Sequence, residues 1–413
     1  MTGTSLDAID VAAGRFGEPS DDDLSSGIEL IAFHSTQWPS ALREVLMQLA
    51  TSERVDMNLL ARTHFLLARE YASAVREILD KSGLSANDIR AIGLHGQTVR
   101  HLPTPVQAAD GLESVGATLQ LGSGSALAAI SGIDVVSDFR SADVALGGQG
   151  APLVPMFDYF FLRSKNVARL IVNIGGIANV TWLERNASPN NVIAFDSGPG
   201  NMLLDSVARH YFDLPFDFNG SLAREGKIDE GLLAELLSHP YFALRPPKST
   251  GRELFSEQFL AVTHEKIANG IISRKDALAT LAELTARSIA MSVNWTNGKN
   301  QPLEMIVSGG GAMNKYLMER IEANAPNARI ASSELFSIPV NAKEAIAFAF
   351  FAKAFVEEIP VHLPATTGAS RATVLGSMSR GVKYRRQTRF PARKTFSKIN
   401  FKNIFGKRLL SSK

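Results

Sequence analysis

The chain has no cysteine. That removes thiolate zinc sites, iron–sulfur clusters, disulfides and a cysteine nucleophile, and it fits a cytoplasmic protein. No apolar run approaches the ~18 residues needed to span a bilayer, so the chain is not expected to be transmembrane. The greasiest stretch, Ala345 to Val356, is interrupted by Lys353 and reads as a buried helix. The opening MTGTSLDAID lacks a basic cluster followed by an apolar core, so no signal peptide is expected. Neither Gly-x-x-x-x-Gly-Lys-Ser/Thr nor a Gly-x-Gly-x-x-Gly after a first strand occurs, which argues against P-loop and Rossmann enzymes. Gly122-Ser-Gly-Ser-Ala126 has the wrong spacing for a serine-hydrolase elbow. The eight histidines show no HExxH and no close pair with ligand spacing, so no direct metal site is expected from them.

A length of 413 residues suggests two domains, and 45% hydrophobic content supplies apolar material for both cores. The net charge of +2 is unevenly placed. Residues 380–413 hold 12 Lys and Arg and no acid, which leaves 31 basic against 41 acidic groups elsewhere, a net of −10. An acidic body argues against a nucleic-acid enzyme, whose binding face should be basic. The tail mixes Phe390, Phe396, Ile399, Phe401, Ile404, Phe405, Leu409 and Leu410 with its positive charges. Two readings of it stand: a disordered extension broken by Pro391, or an amphipathic helix from Thr395 to Leu410 on an acidic surface.

Periodicity predicts a strand over Asp7 to Phe16 with a hairpin partner over Gly27 to Ser35, helices over Pro39 to Ala50 and Asn58 to Lys81, and a strand over Ile89 to Leu94. A second block starts near Gly132 with a strand over Ile133 to Ser137 and a helix over Val154 to Leu162. Strands follow over Val167 to Ile174, Ala178 to Leu183 and Val192 to Phe195. Helices are expected near 200–212, 229–238, 255–268 and 274–296, then a strand over Glu304 to Ser308, a helix near 314–324 and a last long helix over Ala342 to Glu357. Strands mixed with helices make this α/β, and the early hairpin makes the sheets mixed.

Four glycine-rich turns stand at strand ends: Met1 to Asp7, Asn173 to Asn179, Asp196 to Asn201 and Ser308 to Asn314. Glycine lets backbone N–H groups converge on an anion, and a following helix adds its N-terminal amides. Four such turns point to a polyphosphate gripped between two domains. Asp196 is the best single catalytic candidate, because it follows the apolar run Val192 to Phe195 and precedes a Gly-Pro-Gly turn. It reads either as a general base beside a phosphoryl group or as a cap for the next helix. Asp7 and Asp10 read either as groups facing Mg²⁺ through water or as solvated turn residues. His95, in His95-Gly-Gln-Thr98, lies at a strand end where ligands collect.

Together these residues resemble the anhydro-N-acetylmuramic acid kinase family. The matching stretches are Gly3 to Asp10 (GTSLDAID), Gly93 to Thr98 (GLHGQT), Ser137 to Arg140 (SDFR), Asp143 to Pro155 (DVALGGQGAPLVP), Asn173 to Asn179 (NIGGIAN), Phe195 to Asn201 (FDSGPGN), Lys248 to Glu253 (KSTGRE) and Ser308 to Gly311 (SGGG). They occur in the family's order over about residues 1–378. The family has a short apolar strand ahead of the Gly-Thr-Ser turn, often a glycine at Ala8, and commonly arginines at Ser141 and Ala142.

The resemblance implies an α/β, two-domain actin-like/sugar-kinase (ribonuclease H-like) fold with mixed sheets and an interdomain cleft. The first domain would span 1–132, joined by about 363–379 returning from the C-terminal end. The second would span 133–362, with 380–413 as a basic tail. The resemblance implies ATP with Mg²⁺, a small anhydrosugar substrate, a homodimer, and phosphorylation of O6 coupled to hydrolytic opening of the 1,6-anhydro ring. Asp196 would be the base. Gly3, Thr4, Ser5, Leu6, Asp7, Ala8, Ile9 and Asp10 would bind ATP, with Gly175, Gly176, Asn179, Gly198, Gly200, Asn201, Gly309, Gly310 and Gly311; Asp7 would face Mg²⁺ through water. His95, Gln97, Arg140 and Glu344 would bind the sugar. A kinase of the same fold for another anhydrosugar, such as levoglucosan, and an inactive nucleotide-binding module are the alternatives.

Overall fold

Alternation along the strands decides which side chains meet which layer. The computed structural model describes residues 1–2, 6, 8–17, 24–105, 114–251, 253–296 and 301–382, Ser26 by its backbone alone. The basic tail beyond Val382 lies outside the described residues.

In chain order, β1 (Ala8–Phe16) and β2 (Ile28–Gln37) pair antiparallel, with a bulge between Ala13 and Gly14. Helices α1 (Ser40–Thr51) and α2 (Met57–Ser82) follow. The Asp56 carboxylate caps α2 by accepting from Asn58 N, and Gly83 ends it in the left-handed region at φ 69°. Its buried face carries Leu67, Tyr71, Ala74, Val75 and Ile78 at helical spacing. Next come β3 (Ile92–Leu94), the hairpin of β4 (Gln97–Leu102) and β5 (Ala117–Leu121), α3 (Gly124–Ser131), β6 (Val135–Ser137), α4 (Ser141–Ala145) and α5 (Val154–Leu162).

Strands β7 (Ala168–Ile174), β8 (Ile177–Leu183) and β9 (Ile193–Pro199) lead into α6 (Met202–Phe212), α7 (Ser221–Glu225), α8 (Glu230–Leu237), α9 (Ala261–Ala268) and α10 (Arg274–Met291). The chain continues through β10 (Leu303–Ser308), α11 (Lys315–Asn324), β11 (Ala328–Ser332), α12 (Lys343–Val356), α13 (Pro364–Thr367) and β12 (Ser377–Ser379).

The largest described sheet has the order β11-β10-β7-β8-β9. Strand β10 runs parallel to β11 and β7, whereas β8 is antiparallel to β7 and β9. Leu170, Val172, Ile174, Met305 and Val307 point to one core with α6, α8, α10 and α11. Ile171 and Ile306 point to the other face, where they meet phenylalanines of α5 and α12. Helix α12 carries buried residues almost all round, as its continuous apolar run demands. Its other neighbours include β1, β3 and β6. A Cβ on Gly93 of β3 would run into the Phe348 carbonyl of α12, so glycine sets this close approach. Strand β6 pairs in parallel with β3 and antiparallel with β12, making a three-stranded sheet of β12-β6-β3.

Several sequence expectations change. Strand β9 continues to Pro199, because its pairing with β8 persists through Gly198 and Pro199, so Asp196 is interior to the strand and not at its end. The helix expected over 255–268 is formed only over Ala261–Ala268. The β4–β5 hairpin and β11 were not anticipated, because their polar and mixed sequences carry little alternating apolar signal.

One polar interaction lies deep in the packing. Lys343 Nζ of α12 donates to Asp158 Oδ1 of α5 at 3.2 Å, and Thr181 Oγ1 of β8 donates to Asp158 Oδ2 at 2.9 Å. Both ions are almost fully buried. Breaking one side of such a pair leaves an uncompensated charge. Lys343→Met should therefore destabilise the fold by about 3–5 kcal/mol in urea unfolding, and Lys343→Met with Asp158→Leu should regain much of the loss. Equal stability of the single variant and the parent would remove the pair from the account of α12 packing.

Candidate active site

Three of the four glycine-rich turns meet at one end of the five-stranded sheet. Gly175 and Gly176 join β7 to β8, Gly200 and Asn201 join β9 to α6, and Gly309, Gly310 and Gly311 follow β10. Gly200 N donates to Gly176 O at 2.8 Å, and Asn201 N donates to Gly175 O at 2.8 Å. Asn201 Nδ2 reaches Ile174 O at 3.4 Å. These bonds tie the second turn to the first. Gly309 lies at φ 84°, and a Cβ there would stand 2.6 Å from Ile174 O. The fourth turn, with Gly3, Thr4, Ser5 and Asp7, lies outside the described residues.

The glycines fall into two kinds. Cβ atoms on Gly200 and Gly311 would collide with Gly175 O and with the Ile174 side chain, and one on Gly198 would stand 2.9 Å from the Phe242 ring. Packing alone demands glycine there. At Gly175, Gly176 and Gly310 the nearest atom to such a Cβ is 3.7, 3.7 and 3.8 Å away. A Cβ at these three would make only ordinary van der Waals contact, and Gly176 and Gly310 present exposed backbone, the surface an anion needs. Asn179, exposed on β8, sits opposite Asp196 in register.

Asp196 is held from the side of a long loop. Its Oδ2 accepts from Ser249 Oγ at 3.0 Å and from Thr250 N at 2.9 Å. Its backbone N donates to Lys248 O at 3.1 Å, and its carbonyl accepts from Tyr241 Oη at 2.7 Å. The helix-capping alternative is thereby removed, since the carboxylate is engaged by residues 249–250 and α6 begins six residues later at Met202. Burial pushes the Asp196 carboxyl above the ordinary carboxylate range. Hydrogen bonds from Thr250 and Ser249 pull the other way, Glu253 adds to the rise and Lys248 opposes it. Lys248 Nζ lies 4.5 Å from the Tyr241 ring centroid and donates to Tyr241 O at 3.1 Å. Sequence reasoning quoted the Lys248 to Glu253 stretch but assigned it no part. The cluster of hydroxyls beside a Gly is the signal that was there to use.

A second group forms around α12. His95, buried at the end of β3, accepts from Arg140 Nε at 3.2 Å and from Arg140 Nη2 at 2.8 Å through its Nε2. The ring packs on Phe348 at 4.7 Å between centroids. Burial first, and the Arg140 charge second, hold the imidazole neutral, well below its usual range. With Nε2 accepting, the ring proton sits on Nδ1, a buried atom close to the backbone of Gly96 and Thr2. Burial lowers Arg140 to about 10, against the charges of Glu344 and Asp143. Glu344, in the first turn of α12, is raised by burial; Lys343 and Arg140 oppose the rise and Asp10 adds to it. Gln97 is buried at the start of β4, with Nε2 donating to Thr98 O at 3.3 Å. Leu6 and Ile9 turn into the core beside α1 and α2, while Ala8 and Asp10 of β1 are half-buried.

Counted from β7, the sheet order is 3-2-1-4-5 with the second strand antiparallel. That is the ribonuclease H-like arrangement, and with glycine turns and a half-buried carboxylate at one end the chain is of the actin-like, sugar-kinase class. A family model described as "Anhydro-N-acetylmuramic acid kinase" matches residues 1–381. The protein of that name from Shewanella amazonensis is 41% identical over 377 residues, covering 91% of this chain and 96% of the relative. The one from Shewanella pealeana is 41% identical over 378 residues, with the same coverage. Among solved structures, the activator of the 2-hydroxyisocaproyl-CoA dehydratase from Clostridium difficile with bound ADPNP is 12% identical, with a TM-score of 0.42 over 85% of this chain and 96% of that one. The chain belongs to the anhydro-N-acetylmuramic acid kinase family, and it is a kinase.

The two kinds of glycine make separable demands on stability. Gly200→Ala should destabilise the protein by about 1–3 kcal/mol, because the new methyl meets backbone that cannot yield. Gly310→Ala should stay within about 0.5 kcal/mol of the parent, as a surface change does. Thermal melting of both variants checks this, and a reversed order would mean that the turns are not packed as described.

Proposed function

We propose that the protein uses ATP to convert 1,6-anhydro-N-acetylmuramic acid and water to N-acetylmuramate 6-phosphate, in the recycling of cell-wall sugar. The observation that carries this reading is Asp196: a carboxylate made more basic by burial, oriented by Ser249 and Thr250, on the strand that runs into the glycine turns. Family membership supports the substrate. It also supports a homodimeric, cytoplasmic protein.

Asp196 takes a proton from water as the water oxygen bonds to the anomeric carbon, and the bond from that carbon to O6 breaks. The freed O6 attacks the γ-phosphorus, and ADP departs with the electrons of the broken P–O bond. O6 needs no separate acid, because phosphorus captures it. Thr250 Oγ1, buried and with no partner among the described residues, offers a second hydrogen-bonding atom for the water. The exposed backbone of Gly176 and Gly310 would receive phosphate oxygens. Among the described residues no group of three acidic or histidine side chains is placed to hold a metal. Mg²⁺ would be carried by the triphosphate and water, with Asp7 acting through water as the family resemblance implies, and would neutralise phosphate charge. Arg140 and Glu344 would hold the sugar, Arg140 through its carboxylate.

Asp196→Asn should lower turnover ~10²–10⁴-fold while leaving ATP affinity nearly unchanged. In ¹⁸O-labelled water the parent should place label on the anomeric hydroxyl and none in the phosphate. Retention of more than about a tenth of the activity would reject Asp196 as base. Label in phosphate would indicate plain ATP hydrolysis. A panel containing levoglucosan separates the proposed sugar from a simpler one.

The pH profile tests the same assignment. A base works unprotonated, so kcat/KM should rise with pH through the Asp196 pKa, with its acid limb above the ordinary carboxylate range. Ser249 donates to the charged form, so Ser249→Ala removes a downward influence and should move that limb to higher pH. A limb that stays put, or moves down, would assign the titration to another group.

A further inference from the structure

The stretch DVALGGQGAPLVP after Arg140 has no part in the mechanism above, yet it contains the most buried carboxylate of this region. Asp143 is fully shielded from solvent. Its Oδ1 accepts from Thr367 Oγ1 at 2.6 Å and is hydrogen-bonded by His362 Nε2. Its Oδ2 accepts from Gly150 N. Burial would raise its pKa, but the bonds from His362, Thr367 and Gly150 outweigh that and hold it below the ordinary range. The loop is built around this group. A Cβ on Gly148 would collide with the Asp143 carboxylate, and Gly150 adopts φ 67°. The segment that follows α12 clamps the same loop, since Gln149 N donates to Thr367 O at 2.9 Å and Ser370 N to Leu146 O at 3.0 Å.

Gly150 joins this network to the sugar side. Its N–H is held by Asp143, and its carbonyl accepts from Arg140 Nη1. On the other edge, Arg140 Nε and Nη2 donate to His95. Three guanidinium N–H groups are thus engaged, and the others carry no partner among the described residues. Their direction is set by Gly150 O and His95 together, because a guanidinium is a rigid planar fork.

We infer that Asp143, together with His362 and Thr367, positions Arg140 for the sugar by fixing Gly150. None of the three touches substrate; each acts through Arg140. The inference rests on the reading above that Arg140 holds the sugar. It also joins sugar binding to the segment after α12, the helix that carries Glu344.

A double-mutant cycle tests it, with Arg140→Met, Asp143→Asn and the double variant measured at varied anhydrosugar and varied ATP. Asp143→Asn should raise KM for the anhydrosugar about tenfold or more and leave KM for ATP within about twofold. On the Arg140→Met background the same change should add less than about twofold, because its route is already cut. If Asp143→Asn does not fold, His362→Asn and Thr367→Val carry the same cycle. Full multiplication of the two effects, with Arg140→Met alone raising the sugar KM, overturns the positioning role and leaves the Arg140 reading standing. An Arg140→Met variant with an unchanged sugar KM overturns both.

Discussion

The head of the five-stranded sheet depends on how closely three backbone turns approach one another. Gly200 and Asn201 donate to the carbonyls of Gly176 and Gly175, and Gly309 and Gly311 press on Ile174. Side chains at Gly200 or Gly311 would push these turns apart. Each glycine costs roughly 0.5–1 kcal/mol in chain entropy relative to alanine. The rows of Leu170, Val172, Ile174, Met305 and Val307 beneath them offset that cost by anchoring β7 and β10 in one core. The outcome is a backbone rim in which Gly176 and Gly310 remain exposed.

Three acids, Asp143 fully buried and Asp196 and Glu344 half-buried, show how partner sets, and not burial alone, decide charge. Asp196 has two hydrogen-bond donors to one oxygen and is still raised, so it is poised to accept a proton. Asp143 is at least as deeply placed but receives His362, Thr367 and Gly150, and it is lowered. Glu344 has charges of both signs nearby, and its rise comes mainly from burial. The first suits chemistry, the second suits architecture. Helix α12 links two of these settings. Its Phe348 packs on His95, its first turn holds Glu344, and Gly93 allows β3 to lie against its backbone.

Much of the architecture was legible in residue patterns, and the misses have physical causes. The run ARLIVNI alternates between two cores and reads as a strand. The α2 stripe of Leu67, Tyr71, Val75 and Ile78 reads as a helix because its spacing matches 3.6 residues per turn. The end of β9 was misplaced because Asp, Ser, Gly and Pro have low strand propensity, and pairing with β8 overrides it. Asp196 could be picked out by its neighbours in the chain. Ser249 and Thr250 could not be attached to it, since nothing local says that a loop some fifty residues later returns to this edge.

The sequence by itself determined the α/β class, the glycine turns at strand ends, the family, and the short list containing Asp196, His95, Arg140 and Glu344. The class, the turns, Asp196 and His95 follow from local residue chemistry, and Arg140 and Glu344 from the resemblance to the family; neither needs knowledge of distant contacts. The tertiary structure alone decided which glycines are packed and which are open, since that depends on atoms from other turns. It alone decided that His95 is a neutral acceptor for Arg140, and that Asp143 meets His362 across more than two hundred residues. A carboxylate's pKa and a guanidinium's aim are properties of the groups folded around them, and those groups come together only when the whole chain is packed.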